Sequence, residues 1–534
     1  MRRIFLFVLL AISQLCFAQN NQNNNKVNPA ETTQKLATTM YIIDNFYVDS
    51  TDMPKLTEEA ITAMLKTLDP HSAYIAAKDV QKANEELVGS FEGIGVTFQI
   101  LRDTILVVSA VPGGPSEKVG IMAGDRIVTI DGEEAFGKKV NNEFVTKHLR
   151  GKKGTKVVLG IRRGKDTELI DYEVIRDKIP LNSINTWFMV DKKIGYIKLD
   201  KFAQQSVEEF ETALNDLKKQ GMKSLIFDLR GNSGGYLQTA FGLGNEFLGS
   251  NKTVVFTEGL KSPKQVFETD KNGGFREGRL VVLIDEGSAS ASEIVSGAIQ
   301  DWDRGVLIGR RSFGKGLVQR PFTLPDGSQI RLTTARYHTP TGRCIQRSYD
   351  EGSEEYFKEM TKRLENGEYY HADSIHFPDS LKYLTLVKGR TVYGGGGIMP
   401  DIFMPVDTTF STKLLNNLVR KSVFNSYCID YVLANRERLA AEYPEFDAFN
   451  NKFTVDDVMI EEFKKVAEQK EVKWDEEQYE RSELWIKLRI KGMIAQNIWN
   501  IDKYYQVVMR EDKMVQKAVE VLNSRKEYDK ILGK

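Results

Sequence analysis

An α/β fold interrupted by a β-rich module and flanked by helices is what this sequence of 534 residues predicts. Three observations carry that expectation. From about Lys193 to Leu332, short β-branched runs alternate with apolar-periodic helical stretches, the pattern of a βαβ layer. Residues 90–177 hold strand-like runs separated by turn signals. The two ends, up to Leu87 and beyond residue 350, carry apolar stripes at helical spacing. A chain of this length exceeds one hydrophobic core and divides into roughly three or four domains.

The composition narrows the class. With 41% hydrophobic, 28% charged and 10% aromatic residues, wholesale disorder and a multi-spanning membrane protein are both disfavoured. Lys plus Arg equals Asp plus Glu, 74 against 74, so the global basic field of nucleic-acid binders is absent and no nucleic-acid partner is expected. The 3 cysteines (Cys16, Cys344, Cys428) exclude a disulfide-stapled scaffold and a Cys-rich zinc module. The 5 histidines are scattered without ligand spacing, so neither a metal nor a cofactor is expected.

Met1-Arg2-Arg3, the uncharged run from Ile4 to Ile12 and Leu15-Cys16-Phe17-Ala18-Gln19 read as a secretory signal peptide over 1–18. The apolar run is shorter than the ~20 residues that span a bilayer; an uncleaved anchor is the alternative. Gln14 and Leu15 before Cys16 are not the small pair of a lipoprotein site. Cleavage after Ala18 leaves Cys344 and Cys428, and the sequence does not decide whether they pair. Residues 19–89 read as a polar linker, Asn20 to Asn28, followed by helices. Leu36, Met40, Ile43 and Tyr47 form one stripe, and Ala60, Met64, Leu65 and Leu68 another; both read as packing faces. His71, in Leu68-Asp69-Pro70-His71-Ser72, reads as a turn residue rather than a catalytic one.

In the module at 90–177, Ile105 to Val108, Arg126 to Ile130 and Lys156 to Ile161 are short strands, with turns at Pro112-Gly113-Gly114 and Asp131-Gly132. Gly93-Ile94-Gly95-Val96, together with Gly114-Pro115-Ser116-Glu117-Lys118-Val119-Gly120-Ile121 through Gly124-Asp125-Arg126-Ile127, resembles a PDZ domain. A glycine-rich loop before a strand can turn backbone N–H groups toward a carboxylate, while the strand edge pairs with an extended peptide. Gly93, Ile94, Gly95 and Val96 are therefore candidate peptide-binding residues. The first motif alone is equally a tight turn; the two motifs together favour the PDZ reading.

Ile194 to Leu199 and Ser224 to Leu229 read as strands around a helix carrying Val207, Phe210, Leu214 and Leu217. Leu280 to Ile284 and Val306 to Ile308 do the same around Ile294, Val295, Ala298, Ile299 and Trp302. Gly394 to Gly397 is a loop, and residues 410–534 form a charge-rich helical tail with stripes such as Trp485, Leu488, Ile490 and Met493.

Several motifs compete for the chemistry. Gly309-x-x-x-x-Gly314-Lys315 nearly matches a phosphate-cradling loop, but Gly316 stands where a magnesium-holding hydroxyl is needed. Gly231-Asn232-Ser233-Gly234-Gly235 is formally the nucleophile elbow of an α/β-hydrolase with Ser233 as nucleophile; its histidine would have to be His338, His371 or His376, none in a recognisable strand-end setting. Ser312-Phe313-Gly314-Lys315 matches S-x-x-K, yet glycines flank the lysine and the companion motifs are missing. Gly287-Ser288-Ala289-Ser290-Ala291-Ser292-Glu293 follows a strand and opens a helix, whose free N–H groups suit an oxyanion. On its own that run is a well-capped helix start. If its strand and the next are parallel neighbours, Ser290, Lys315 and the Gly231–Gly235 loop meet at one sheet edge.

That meeting is a Ser–Lys dyad. Lysine, with an ordinary pKa of about 10.4, becomes a base only when burial disfavours its charged form. Phe313, Gly314, Gly316, Leu317 and Val318 surround Lys315 with no carboxylate nearby in sequence, and Gln319 is placed to accept a hydrogen bond from the amine. The oxyanion hole would be the N–H of Ala291 with one from Gly234 or Gly235, of which Gly235 is assigned.

These residues resemble the carboxyl-terminal processing peptidases, or tail-specific proteases, over roughly residues 35 to 345. The likeness rests on Leu68–Ser72, the PDZ-like motifs, Asp228-Leu229-Arg230-Gly231-Asn232-Ser233-Gly234-Gly235, Ser288-Ala289-Ser290-Ala291-Ser292-Glu293 and Phe313-Gly314-Lys315-Gly316-x-Val318-Gln319. The resemblance implies Ser290 as nucleophile, Lys315 as general base and Gln319 as its support. It also implies a crotonase-like protease core over 178–350, with the 29–89 helices packing on it, an inserted PDZ domain over 90–177 and a helical extension over 351–534. Ser233 stands where the family often has proline. The expected function is a serine endopeptidase that recognises and cleaves near the C-terminus of exported proteins, in the periplasm or outer envelope of a Gram-negative bacterium. Its partners would be proteins or peptides with accessible C-termini; an adaptor and a homodimer through terminal helices are compatible with the family. The alternative from another class is a non-catalytic PDZ-bearing scaffold.

Overall fold

The computed structural model describes residues 28–164, 168–270 and 273–533. The signal-peptide reading of 1–18 and the linker up to residue 27 lie outside the described residues. The chain separates into a unit ending at Met64 and a second running from Leu65 to Lys534. In the first, Asn28 caps the helix Pro29–Phe46 by accepting the Ala30 N–H at 3.1 Å. The Leu36, Met40, Ile43 stripe lies on this helix, which has no buried residue among those described.

The second unit is built on a central sheet whose strands run, in spatial order, Thr186–Asp191, Ile194–Lys198, Ser224–Asp228, Arg279–Ile284, Val306–Gly309 and Ile402–Phe403. All but the first pair are parallel. Their buried runs read as continuous apolar stretches because helices cover both faces. On one face Phe210, Leu214 and Leu217 of helix Ser206–Lys219 pack with Ile294, Val295 and Ala298 of helix Ala291–Asp301. Each large side chain buried there contributes roughly 1.5–3 kcal/mol.

A second, antiparallel sheet runs Ala73–Ile75, Gln329–His338, Thr253–Gly259, Ser262–Glu268, with Leu317–Thr323 also paired to Gln329–His338. Reading 29–87 as wholly helical is thereby corrected. Ala73 pairs with Arg331 and Ile75 with Gln329, a three-residue strand too short to show a period and completed by a partner far along the chain. Because this strand already belongs to the layers that residues 253–338 complete, the β-rich module that follows is an insertion. Ser90–Gly93 and Asp177–Pro180 pair antiparallel at its neck. Its main sheet runs Val96–Leu101, Thr104–Ala110, Arg126–Ile130, Lys156–Arg162, Ile170–Ile175, over a core of Ile105, Val107, Ile127, Val145, Leu159 and Ile161.

The core does not stop at residue 350. Ile402–Phe403 completes the central sheet, and helix Lys513–Asn523 lays Met514, Val515, Ala518 and Val521 on its second face, against Ile226, Val281, Leu283 and Ile308. Between them, helices from Lys413 to Ile498 enclose a separate core of Phe424, Phe449, Phe463, Ile486 and Ile490. Cys344 and Cys428 are free thiols. Among the described residues no helix is long and apolar enough to cross a membrane.

Candidate active site

Parallel register decides which loops meet. Asp228 pairs with Leu283 and Ile284 with Gly309, so the segments after the strands Ser224–Asp228, Arg279–Ile284 and Val306–Gly309 leave one edge side by side. These are the glycine loop, the run ending at Ser290 and the segment carrying Lys315. Asp285 Oδ1 accepts the Gly231 N–H at 2.8 Å and the Gly287 N–H at 3.0 Å. Buried Asn232 binds the first two loops together: its Oδ1 accepts the Gly234 N–H at 2.8 Å, its Nδ2 donates to Leu199 O at 2.8 Å, and its C=O accepts from the Ala289 N–H at 3.0 Å and Ser292 Oγ at 2.7 Å.

Ser290 stands at the N-terminus of helix Ala291–Asp301 with φ 55° and ψ −112°, outside the regions an L-residue prefers and costing about 1–3 kcal/mol. Its surroundings hold it there. The Ser290 N–H donates to Glu293 Oε2 at 2.8 Å, and its C=O accepts from Tyr337 OH at 3.1 Å and the Ile294 N–H at 3.0 Å. Gly234, at φ +97°, lies so close that a Cβ there would sit 2.8 Å from Ser290 Cβ and 2.9 Å from Ala291 N. The N–H groups of Ala291 and Gly235 donate to no group among the described residues, whereas Gly234's is taken by Asn232. Of the two glycines considered for the oxyanion hole, Gly235 is the one with an unengaged donor.

Burial lowers the pKa of Lys315 from 10.5 to about 8. Two carboxylates oppose that shift, Glu293 and then Asp69, so the expectation of none nearby is corrected: both come from other segments of the chain. Arg331 and Lys201 act with burial. Glu293 is fully buried and accepts four hydrogen bonds: Ser312 Oγ at 2.5 Å and the Gly314 N–H at 2.7 Å on Oε1, the Lys315 N–H at 2.9 Å and the Ser290 N–H at 2.8 Å on Oε2. One carboxylate thus ties the Ser290 turn to the Lys315 segment. Burial pushes it up to about 7 against those four donors.

Gln319 does not hydrogen-bond to Lys315. Its Nε2 donates to Thr333 Oγ1 at 3.0 Å, and the Thr333 N–H donates to Ser72 Oγ at 3.0 Å, which donates to Asp69 Oδ2 at 2.5 Å. Gln319 is on a strand whose partner, Gln329–His338, places Thr333 directly opposite it. His71 occupies the Asp69–Ser72 turn as expected; its Nε2 lies 2.9 Å from Tyr356 OH, and burial with nearby Lys315 lowers its pKa to about 4. Ser290 Oγ and Lys315 Nζ are not hydrogen-bonded to each other. Both line one cleft of about 1250 Å³, with Gln319 and Gly235, walled by Leu237, Ile294, Leu317, Val318, Pro321 and Tyr337.

The serines of two competing motifs are engaged by other side chains. Ser312 Oγ is committed to Glu293 and to the Ile398 N–H at 2.6 Å, and residues 310–316 form no helix. Ser233 is in the cleft, but backbone strain sits on Ser290 instead, and its Oγ accepts from Lys201 Nζ at 2.9 Å. His338 stacks on Phe256 with ring centres 4.8 Å apart, and neither it nor His371 nor His376 lines the cleft. In the inserted module, Val96–Leu101 is an edge strand preceded by the Gly93–Val96 loop. Gly95 adopts φ +72° and its N–H donates to no group among the described residues; Ile94 C=O is held by the Ser116 N–H at 3.1 Å and Ser116 Oγ at 2.7 Å. No cluster of three metal-ligating side chains occurs among the described residues. Asn232, Glu293 and Asp69 have no role in the sequence reading; their only signal there was membership of the quoted motifs.

Known proteins bear on this geometry. Residues 193–352 match peptidase family S41, 92–174 match the PDZ domain, 11–79 match the activating protease CtpB N-terminal domain, and 414–500 match a family of unknown function. A carboxy-terminal-processing protease of Bartonella bacilliformis is 34% identical over 353 residues, 65% of this chain and 80% of that one. The carboxy-terminal processing protease CtpA of Bacillus subtilis is 36% identical over 306 residues, 57% of this chain and 65% of that one. Among solved structures, a photosystem II D1 C-terminal processing protease is 28% identical with a TM-score of 0.34, covering 60% of this chain and 91% of that one. The chain belongs to peptidase family S41, as a carboxyl-terminal processing serine protease with an inserted PDZ domain. Its architecture is the mixed α/β peptidase fold with helical N-terminal and C-terminal regions.

Proposed function

We propose that Ser290 is the nucleophile and Lys315 the general base of an endopeptidase that holds a substrate's C-terminus in its PDZ domain. The observation that carries this is Ser290, held in a strained turn beside two unengaged N–H groups, sharing a cleft with a lysine that burial has brought to about 8. In the reaction, neutral Lys315 takes the Ser290 Oγ proton as Oγ bonds to the scissile carbonyl carbon. The carbonyl oxygen becomes an oxyanion between the Ala291 and Gly235 N–H groups, each donor being worth about 3 kcal/mol. Lys315 then passes its proton to the leaving amine as the C–N bond breaks, leaving an ester on Ser290. Lys315 then takes a proton from a water that attacks the ester carbon, and returns it to Ser290 Oγ as the C–Oγ bond breaks, freeing the acid and restoring the neutral lysine. The Gly93–Val96 loop and the free edge of Val96–Leu101 would take the terminal carboxylate and the last residues by strand addition.

The proposal extends to compartment and partners. The residues before Gln19 support export to the periplasm or outer envelope, checked by fractionation and by sequencing the mature N-terminus for cleavage after Ala18. The partners on this reading are proteins with accessible C-termini. An adaptor and a homodimer are two further associations to be sought by pull-down and by sedimentation.

The test is degradation of an unfolded reporter with an apolar C-terminal tail, with labelling by a serine-directed covalent probe. Ser290→Ala and Lys315→Ala should abolish cleavage while Ser233→Ala retains it, and the label should fall on Ser290. Cleavage by Ser290→Ala with loss in Ser233→Ala would overturn the assignment, and an unlabelled, inactive wild type would return the scaffold reading.

A further inference from the structure

Far along the chain, the C-terminal segment reaches back to the glycine loop. Arg230, the residue before Gly231, has a side chain only 16% exposed between two carboxylates. Its Nε donates to Asp228 Oδ1 and Oδ2 at 3.0 Å each, its Nη2 to Asp228 Oδ2 at 2.6 Å, and its Nη1 to Asp512 Oδ2 at 2.8 Å. Asp228, on the strand that the loop leaves, holds the Nε and Nη2 side of the guanidinium and leaves Nη1 to a partner from elsewhere. Asp512 pulls from outside the loop. It stands at the N-terminus of helix Lys513–Asn523, which lies on the second face of the central sheet, and its other oxygen caps that helix, accepting the Met514 N–H at 2.9 Å and the Val515 N–H at 3.0 Å.

The two oxygens of Asp512 therefore do different work: Oδ1 anchors the aspartate to a helix fixed on the sheet, and Oδ2 uses that anchor to hold Arg230. Beyond Arg230 the chain turns at Gly231, φ +70°, and runs to Gly234, which packs against Ser290, and then to Gly235, which lies against Phe202. Tyr196 reinforces the same node, donating its OH to Asp228 Oδ2 at 2.7 Å. We propose that Asp512 is a positioning residue for the peptidase reaction: through Arg230 it sets the glycine loop, and so the Gly235 N–H, where the oxyanion forms. The C-terminal segment is then part of the catalytic scaffold rather than an appendage. This rests on the Ser290–Lys315 reading above.

The double duty of Asp512 supplies its own test. Asp512→Asn keeps an oxygen for the helix cap but turns its amide N–H₂ toward the guanidinium. Asp512→Ser also caps yet is too short to reach Arg230. Both full-length variants are compared with wild type for kcat and KM on an internally quenched peptide with an apolar C-terminus. A peptide aldehyde, whose hemiacetal oxygen occupies the oxyanion hole on adding to serine, gives the second readout. Expected are a fall in kcat of roughly ten- to a hundredfold, the scale of a misplaced catalytic group, with KM within about twofold of wild type and aldehyde affinity falling in step with kcat. Should Asp512→Ser melt below the assay temperature, Asp512→Asn decides. A kcat and aldehyde affinity close to wild type in Asp512→Asn, or a raised KM at unchanged kcat, would overturn the proposal while leaving the dyad intact. A wild type that neither cleaves nor takes the aldehyde would overturn the dyad and this proposal with it.

Discussion

Neutralising single charges around Lys315 should move the pH–activity profile in opposite directions. If Lys315 is the base, kcat/KM follows its neutral fraction and rises with pH until the amine is mostly uncharged. With the group at about 8, about a tenth is neutral at pH 7 and about nine tenths at pH 9, so activity should rise about tenfold over that interval and then level. A lysine at its ordinary value would give about a hundredfold rise over the same interval with no plateau. Asp69 raises the Lys315 value and Lys201 lowers it. Asp69→Asn, which keeps an oxygen for the His71 and Ser72 N–H groups, should therefore shift the rising limb to lower pH, and Lys201→Met should shift it to higher pH. The limb is not that of His71, which at about 4 is neutral throughout the range, and it is distinguished from Glu293, at about 7, by its midpoint and by its shift in the Asp69 and Lys201 variants. The assay is kcat/KM on a quenched peptide from pH 6 to about 10.5 at fixed ionic strength. Limbs that move the same way in both variants, or a profile still climbing about tenfold per pH unit above 9, would refute burial as the source of the base.

Three further outcomes follow from the same geometry. Lys315→Met should abolish cleavage yet raise the melting temperature at pH 7. The folded-state pKa is below the unfolded one, so at that pH burial holds a charge it disfavours, and removing it stabilises by roughly 1–3 kcal/mol; in wild type that cost is relieved progressively as pH rises from about 8 to the unfolded value of 10.5. Gly234→Ala should remove activity with a modest loss of stability, read by the aldehyde titration and by calorimetry, because its Cβ would meet Ala289 O and Ser290 Cβ at 2.8 Å. Arg343→Met should cost about 3–5 kcal/mol in urea unfolding, since it strands Asp301, its fully buried partner at 2.7 Å.

Much of this arrangement was legible because local pattern and sheet register agree. The β-branched runs before Asp228, Asp285 and Arg310 named the parallel strands, and parallel strands put their following loops on one edge. Ser290 and Lys315 then had to approach each other wherever their side chains pointed. What could not be read was anything decided by a partner from another segment. Ala73–Ile75 is a strand only because Gln329–His338 passes beside it. Gln319 turns to Thr333 for the same reason. The surroundings of Lys315 looked free of carboxylate because only its sequence neighbours were visible, while Glu293 and Asp69 arrive from a helix and a turn. The charge-rich tail showed no chemistry, since the value of Asp512 lies in Arg230 at its far end.

Glu293 shows how the site reconciles two opposed demands. Fixing Ser290 and Lys315 relative to each other calls for an acceptor with several lone pairs, and a carboxylate buried among four donors supplies it. Yet the same negative charge raises the pKa of the lysine, which on the proposed reading must lose its proton to act. Desolvation wins, as the value of about 8 records, because the carboxylate spends its lone pairs on Ser312 Oγ and backbone N–H groups rather than on the Lys315 amine. Glu293→Gln separates the two effects. It removes the charge, so the rising limb should move to lower pH; it also offers one oxygen and an N–H₂ group to four donors, so the Ser290 turn and the Lys315 segment lose their common tie. The plateau of kcat/KM should accordingly fall by roughly tenfold or more even though the base is better deprotonated. A limb at lower pH with an undiminished plateau would mean that Glu293 tunes the base without positioning it, and a lower plateau with an unmoved limb would mean the reverse.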